Sequence, residues 1–257
     1  MRVYKGIDAL PVERESVVTV GSFDGVHRGH RVLLGRVVEL ARQRGLCPTV
    51  VTFAVHPRNC MGAEGVGELS VESEKIMLLE KAGIEAVVIL PFDAVCGMEA
   101  EEWAREVLGR ALCAKGVVVG YDHRFGRGRV GDVALLRRMG EECGFDVALV
   151  DEQFADGAHV SSTVVRRAIA EGNMDEACRL LGYPYMVAGE CSEGCVRVAC
   201  DSKLLPAEGE YPVTIELDGE KQSAIATIGE SGLYVKAPAC VPLSGSVIVY
   251  FDARKMA

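Results

Sequence analysis

The sequence predicts a doubly wound α/β fold with a parallel sheet, followed by a small β domain. Two observations carry this. Short β-branched runs alternate with helix-period stretches as far as residue 182, and beyond Gly182-Tyr183-Pro184-Tyr185 the helical period gives way to strand-like segments separated by Gly and Pro.

The strand candidates are Val17–Val20, Thr49–Phe53, Ala86–Leu90, Val117–Val119 and Val147–Val150, each short and apolar enough for a buried parallel strand. Five strands are implied. The helix candidates are Arg31–Gln43, Ser73–Ala82, Glu99–Leu112 and Asp132–Cys143, with Gly45, Gly83 and Gly144 as C-caps to three of them. Val196–Ala199, Pro212–Leu217, Ala224–Ile228 and Val247–Phe251 read as strands of a second domain. The expected boundaries are 1–185 and 186–257. The loop from Asn59 to Leu69, rich in Gly and Glu, reads as mobile.

At 257 residues with 49% hydrophobic and 25% charged side chains, the chain has the composition of a globular protein with a substantial core. A net charge of -9 argues against nucleic acid or anionic membrane as a partner, because both call for a broad basic surface. No apolar run approaches the roughly 18 residues of a membrane span, and Met1–Leu10 lacks a signal-peptide core, so a cytoplasmic protein is expected. Ten scattered cysteines suit a reducing compartment, and the spacing of Cys191, Cys195 and Cys200 does not match paired zinc ligands. They read as ordinary thiols, and no metal-ligating residue is assigned.

The chemistry concentrates at the ends of the predicted strands. After Val20 comes Gly21-Ser22-Phe23-Asp24-Gly25-Val26-His27-Arg28-Gly29-His30, where glycines allow close approach of a ligand and a helix begins near Gly29. Free amides at a helix start attract phosphate, and His27 and His30, three residues apart, can both donate to phosphate oxygens. A histidine pair alone reads equally as a metal site or a surface feature; the strand and glycines around it favour phosphate. Further along, Val160-Ser161-Ser162-Thr163-Val164-Val165-Arg166 offers Ser161 or Ser162 as N-cap, and Arg166 one turn on can present a fork of N–H donors.

These residues carry a resemblance. G-x-F-D-G-x-H-x-G-H is similar to the signature of bacterial FAD synthetases, the adenylyltransferase half of bifunctional riboflavin kinase/FMN adenylyltransferases, and its H-x-G-H core is shared with the wider nucleotidyltransferase superfamily. Thr52-Phe53-Ala54-Val55-His56-Pro57-Arg58 resembles T-F-x-P-H-P-R, with Val55 in place of the proline. Gly120-Tyr121-Asp122-His123-Arg124-Phe125-Gly126-Arg127-Gly128-Arg129-Val130-Gly131 resembles G-x-D-x-x-F-G-x-x-R-x-G, and residues 161–166 resemble S-S-T-x-x-R. All five histidines (His27, His30, His56, His123 and His159) lie in or beside these four segments.

The resemblance spans about Val17–Tyr185. It implies a Rossmann-like nucleotidyltransferase domain joined to a small C-terminal β-barrel-like domain, with ATP and FMN as substrates and Mg2+ on the phosphates. It implies catalytic roles for His27, His30 and Arg166. ATP contacts would come from Gly21, Ser22, Phe23, Asp24, Gly25, Gly29, Ser161, Ser162 and Thr163, with Asp24 either a turn-former or a water-mediated metal partner. Flavin contacts would come from Phe53, His56, Asn59, Asp122 and Phe125, and local positive charge from Arg124, Arg127 and Arg129. Partners are then small molecules; protein partners are not legible.

Bifunctional members enter their kinase barrel through a segment similar to G-x-x-x-G-x-P-T-A-N. It is not found here, although Pro206-Ala207-Glu208-Gly209-Glu210-Tyr211 resembles the later P-x-x-G-x-Y strand. A shortened, degenerate riboflavin kinase domain without kinase activity is the expectation. A nucleotidyltransferase acting on another phosphate, or a flavin- or nucleotide-binding module without catalysis, are the alternatives.

Overall fold

In a computed structural model, a six-stranded parallel sheet and a closed six-stranded antiparallel barrel form the framework. The structure describes residues 1–6, 14–54, 67–151, 154–155, 158–193, 195–229, 232–236 and 244–252. The described parts fall into two compact units. One comprises Met1–Phe23, Gly29–Gly65 and Ile76–Phe154; the other comprises Asp24–Arg28, Val66–Lys75 and Ala155–Ala257.

The sheet of the first unit has the order β1-β4-β3-β2-β5-β6: β1 Arg2–Lys5, β2 Ser16–Val20, β3 Cys47–Phe53, β4 Ala86–Leu90, β5 Ala114–Gly120 and β6 Asp146–Val150. Strands β2, β3 and β4 are buried along almost their whole length, as expected where helices cover both faces. From β2 the chain winds outward through β3 and β4, then crosses back to β5 on the other side of β2. That reversal makes the carboxyl ends of β2 and β5 the topological switch point, the place where doubly wound sheets bind ligands.

The expected five strands are present, and a sixth, β1, extends the edge beside β4. Arg-Val-Tyr-Lys is too short and too mixed to register as a buried strand. Helices α1 Arg28–Arg44, α2 Glu72–Lys81 and α5 Val133–Cys143 match the expected segments, and Gly45, Gly83 and Gly144 all take positive φ as their C-caps require. The expected continuous helix over 99–112 divides instead. After α3 Phe92–Val95, α4 Ala100–Trp103 runs into a π-helical stretch, Ala104–Ala111, whose wider turn buries Ala104, Val107 and Leu108.

The short strands β7 Phe154–Ala155 and β8 Ala158–His159 pair with each other, and in the second unit α6 Ser162–Ala170 and α7 Met174–Leu181 precede the barrel. Helix α7 lies in a stretch for which the sequence reading named no element; the Asn173 side chain caps its start and Gly182, at φ 80°, ends it. The barrel runs β10-β13-β12-β11-β14-β9: β9 Tyr185–Ser192, β10 Cys195–Val198, β11 Gly209–Leu217, β12 Glu220–Gly229, β13 Gly232–Lys236 and β14 Ser244–Phe251. Tyr211, Val213 and Ile215 on β11 and Ala224, Ala226 and Ile228 on β12 alternate inward with the two-residue strand period. They share a core with Val187, Leu233, Val249 and Phe251, continuous with the buried faces of α6 and α7.

Candidate active site

In the first unit, the chain leaving β2 is drawn into a tight path. The Gly21 amide donates to the Val51 carbonyl (3.1 Å), and the Thr52 hydroxyl donates to the Ser22 carbonyl (3.1 Å). A Cβ at Gly21 would sit 3.2 Å from the Phe23 ring, so glycine lets that ring fold beneath the turn. Phe23 is buried at φ 45° and meets the His30 ring edge-on, with centroids 5.2 Å apart. Gly29 and His30 lie in the first turn of α1, where amides lack partners within the helix.

At the end of β3, Phe53 packs edge-on against Phe92 (5.4 Å). His56 and Asn59 lie outside the described residues, as do Val55, Pro57 and Arg58 and the side chain of His159. After β5, Asp122 is exposed, and the loop closes on itself through paired backbone bonds between Phe125 and Gly131 (3.2 and 3.0 Å). The Phe125 ring is buried against Trp103 and stacked on His123 (centroids 5.6 and 5.7 Å). It therefore anchors the loop from within the core. A Cβ at Gly126 would come within 2.6 Å of the Ala100 backbone, which accounts for glycine there.

Burial pushes the His123 imidazole down to about 4, reinforced by Arg129 and opposed by Asp122, so the ring is neutral at pH 7. Arg124 pairs with Asp132 (3.4 Å) and Arg127 with Glu99, so two of the three loop arginines already face carboxylates.

In the second unit, the turn 24–28 is built around a buried carboxylate. Asp24 accepts from the Leu69 amide (3.1 Å), the Ser70 amide (3.0 Å) and Nη2 of Arg166 (2.5 Å). The Ser70 hydroxyl in turn accepts from the Gly25 amide (2.9 Å). The Ser162 hydroxyl donates to the Asp24 carbonyl (3.1 Å), and the Tyr183 hydroxyl to the Gly25 carbonyl. Gly25 and Val26 both take positive φ, and a Cβ at Gly25 would lie 2.9 Å from Leu69. A backbone this constrained persists only where its surroundings hold it, and His27, 5% exposed, is carried on it.

Of the two serines offered as N-cap, Ser161 takes that position on α6, while Ser162 ties the helix to the turn and Thr163 is exposed. Nε of Arg166 donates to the Gly67 carbonyl (2.9 Å) and Nη2 to Asp24; among the described residues Nη1 has no hydrogen-bond partner. Gly67–Leu69, expected as the end of a mobile loop, is instead pinned. The Glu68 amide donates to the Ser202 carbonyl (2.7 Å), the Leu204 amide donates to the Glu68 carbonyl (2.9 Å), and the Leu69 amide meets Asp24. Residues 59–66 of that loop lie outside the described residues.

Sequence reasoning missed Ser70, Glu74, Lys75 and Lys203. Glu74 and Lys203 form a fully buried ion pair (2.6 Å), and Lys75 is 9% exposed. Burial pushes both lysines below the usual range, with Glu74 opposing the shift at Lys203, and Asp24, Glu68 and Glu72 opposing it at Lys75. No spacing in the sequence signals a partnership 129 residues apart. Among the described residues no group of three or more His, Cys, Asp or Glu is placed to hold a metal ion, and the Asp24 carboxylate is ringed by donors. The described donors around Asp24 do not fit a resident cation.

A parallel sheet whose strand order reverses at β2, with a glycine-rich turn following that strand, defines a doubly wound α/β protein. A family model described as FAD synthetase matches residues 10–164. The chain is 33% identical over 244 residues to the bifunctional riboflavin kinase/FMN adenylyltransferase of Escherichia coli (strain K12), covering 89% of this chain and 78% of that one. It is 37% identical over 186 residues to a putative bifunctional riboflavin kinase/FMN adenylyltransferase of Geobacillus thermodenitrificans (strain NG80-2), covering 72% of this chain and 98% of that one. Among solved structures, a macrolide-efflux protein from Streptococcus pneumoniae shares the fold, with a TM-score of 0.86 at 24% identity over 98% of this chain and 90% of that one. The chain belongs to the FAD synthetase family.

Proposed function

We propose that this protein transfers AMP from ATP to FMN, giving FAD and pyrophosphate. An oxygen of the FMN phosphate attacks the α-phosphorus of ATP, the new P–O bond forms, and the bond from that phosphorus to the bridging oxygen breaks as pyrophosphate leaves. A phosphate monoester has its second pKa near about 6, so the nucleophile is already deprotonated at neutral pH and needs no general base. Catalysis then rests on positioning and charge neutralisation.

In this reading His27 and His30 donate to the ATP phosphates and Nη1 of Arg166 assists. Gly21, Ser22, Phe23, Gly25 and Gly29 shape the turn, and Asp24, Ser161, Ser162 and Thr163 support it. Phe53, His56, Asn59, Asp122 and the loop anchored by Phe125 receive the flavin. Mg2+ arrives on the ATP phosphates as part of the substrate. Residues 1–185 carry this activity, and 186–257 form a degenerate riboflavin-kinase-like barrel without kinase activity. Among the described residues no helix is long and apolar enough to cross a membrane; a cytoplasmic setting and freedom from nucleic acid and membranes belong to the same reading.

The observation that carries it is the constrained turn after β2, whose buried Asp24 is held by Arg166 of the capped helix. The test is pyrophosphate release from ATP with FMN, nicotinate mononucleotide and phosphopantetheine as acceptors, for wild type and His30→Ala. Release with FMN alone, lost in the variant, is expected. No release with FMN overturns the function; full turnover in His30→Ala overturns the phosphate-grip role.

A further inference from the structure

The second unit contains a relay of polar contacts that starts at the barrel and ends at the turn carrying His27. Lys203, in the connection between β10 and β11, is fully buried. It donates to the Leu69 carbonyl (2.7 Å) and to Glu74 (2.6 Å). The same carboxylate accepts from the Val71 amide (3.1 Å) and, on its other oxygen, from the amide of Ala188 in β9 (2.8 Å). Beside it, Glu68 is bracketed by backbone bonds to Ser202 (2.7 Å) and Leu204 (2.9 Å). Segment 67–71 is thus fastened to the barrel on one side. On its other side, Leu69 and Ser70 grip Asp24, and Ser70 grips Gly25.

We infer that Lys203 and Glu74 are positioning residues for adenylyl transfer: through segment 67–71 they fix the turn 24–28, making the barrel a scaffold for the nucleotide site. The inference rests on the proposed function and gives the barrel a task that needs no kinase chemistry. Neither side chain touches the turn. Lys203 acts on the backbone of Leu69, which does, and Glu74 holds Lys203 and the backbone of Val71 in the same segment, so their loss changes where Asp24 is held.

Two variants separate position from stability. Lys203→Met strands the Glu74 carboxylate. Glu74→Gln/Lys203→Met removes both charges, and the introduced glutamine can still accept from one of the two amides, yet the Leu69 carbonyl remains without its donor. Amide hydrogen exchange is read at Gly25, Leu69 and Ser70, with β11 and β12 amides as the internal standard for folding. Pyrophosphate release gives kcat/KM for ATP and KM for FMN.

The expected result for the double variant is protected barrel amides, faster exchange at residues 25, 69 and 70, and kcat/KM for ATP lower by roughly 10- to 100-fold, with KM for FMN unchanged. Unchanged exchange at those three amides overturns the inference. So does faster exchange with unchanged kcat/KM for ATP. If the methionine variants do not fold, Lys203→Arg, which keeps charge and donor in a bulkier group, carries the same measurements; it should change kcat/KM for ATP more than KM for FMN, and the reverse pattern overturns the inference. A wild type that releases no pyrophosphate sinks the proposed function alone, because exchange needs no turnover and ATP affinity by equilibrium dialysis then replaces kcat/KM.

Discussion

Asp24→Asn is isosteric, and its effect can be worked from the atoms around the carboxylate. Oδ1 faces the Ser70 amide (3.0 Å) and hydroxyl (3.4 Å), while Oδ2 faces the Leu69 amide (3.1 Å) and Arg166 (2.5 Å). Backbone or guanidinium donors occupy both sides, so an asparagine must turn its NH2 toward one of them. The better choice points NH2 at Ser70, whose hydroxyl can rotate to accept, and keeps the carbonyl on Arg166. That orientation still loses the Ser70 amide bond and the negative charge, leaving a guanidinium with 13% side-chain exposure opposite a neutral group. Removing one partner of a buried pair costs about 3–5 kcal/mol, and residual solvent at Arg166 puts this case near about 3. For a chain of this size that lowers the melting temperature by roughly 6–12 °C. Differential scanning calorimetry measures it, read on the transition that contains the barrel. A variant melting within about 2 °C of wild type would refute the claim that Asp24 is the hub of the turn.

Three further outcomes follow from the same geometry. His123 is held down to about 4 against an unfolded value near about 6.5, so the unfolded chain binds the extra proton between those values. The contribution of this neutral ring is complete above about pH 6.5 and is lost as pH falls toward 4, by up to about 3 kcal/mol; denaturant titrations at pH 7 and 4.5 should show a smaller difference in His123→Phe. Gly126→Ala places a methyl 2.6 Å from the Ala100 backbone at a φ of 72°, and should cost about 2–4 kcal/mol and raise KM for FMN, read by thermal unfolding and steady-state kinetics. Incubation with riboflavin and ATP should yield neither FMN nor FAD by chromatography; appearance of either would return kinase activity to the barrel.

The sheet was legible because buried parallel strands are continuous apolar runs, and β2 to β5 are such runs; edge strand β1, Arg-Val-Tyr-Lys, has no such pattern. The helix starts and stops were legible wherever a capping residue or a left-handed glycine marks them, as at Ser161, Gly45 and Gly144. The site motifs were legible as local strings, and their internal division of labour was not. Arg166 read as a phosphate donor, yet two of its nitrogens are committed to Asp24 and Gly67. Phe125 read as a flavin contact, yet its ring lies in the core. Side-chain destinations are set by which distant backbone groups need partners, and a one-dimensional pattern does not carry that.

The Glu74–Lys203 pair shows what such a need looks like energetically. Two fully buried charges are a costly way to gain stability, since apolar residues of the same volume in such places are often neutral or better. What an apolar pair lacks is donors and acceptors. Residues 68–71 are buried without belonging to a helix or a named strand, so part of their backbone has no ladder to join. Lys203 supplies the donor for the Leu69 carbonyl; Glu74 supplies acceptors for Val71 and for Ala188 in β9. The Lys203 ammonium also lies over the Tyr185 ring, 4.3 Å from its centroid, and burial holds that phenol well above its usual range. The ion pair is therefore the means by which irregular backbone can be buried next to the turn. Irregular backbone is what aims two successive amides, Leu69 and Ser70, at a single carboxylate. A regular strand would point them in opposite directions.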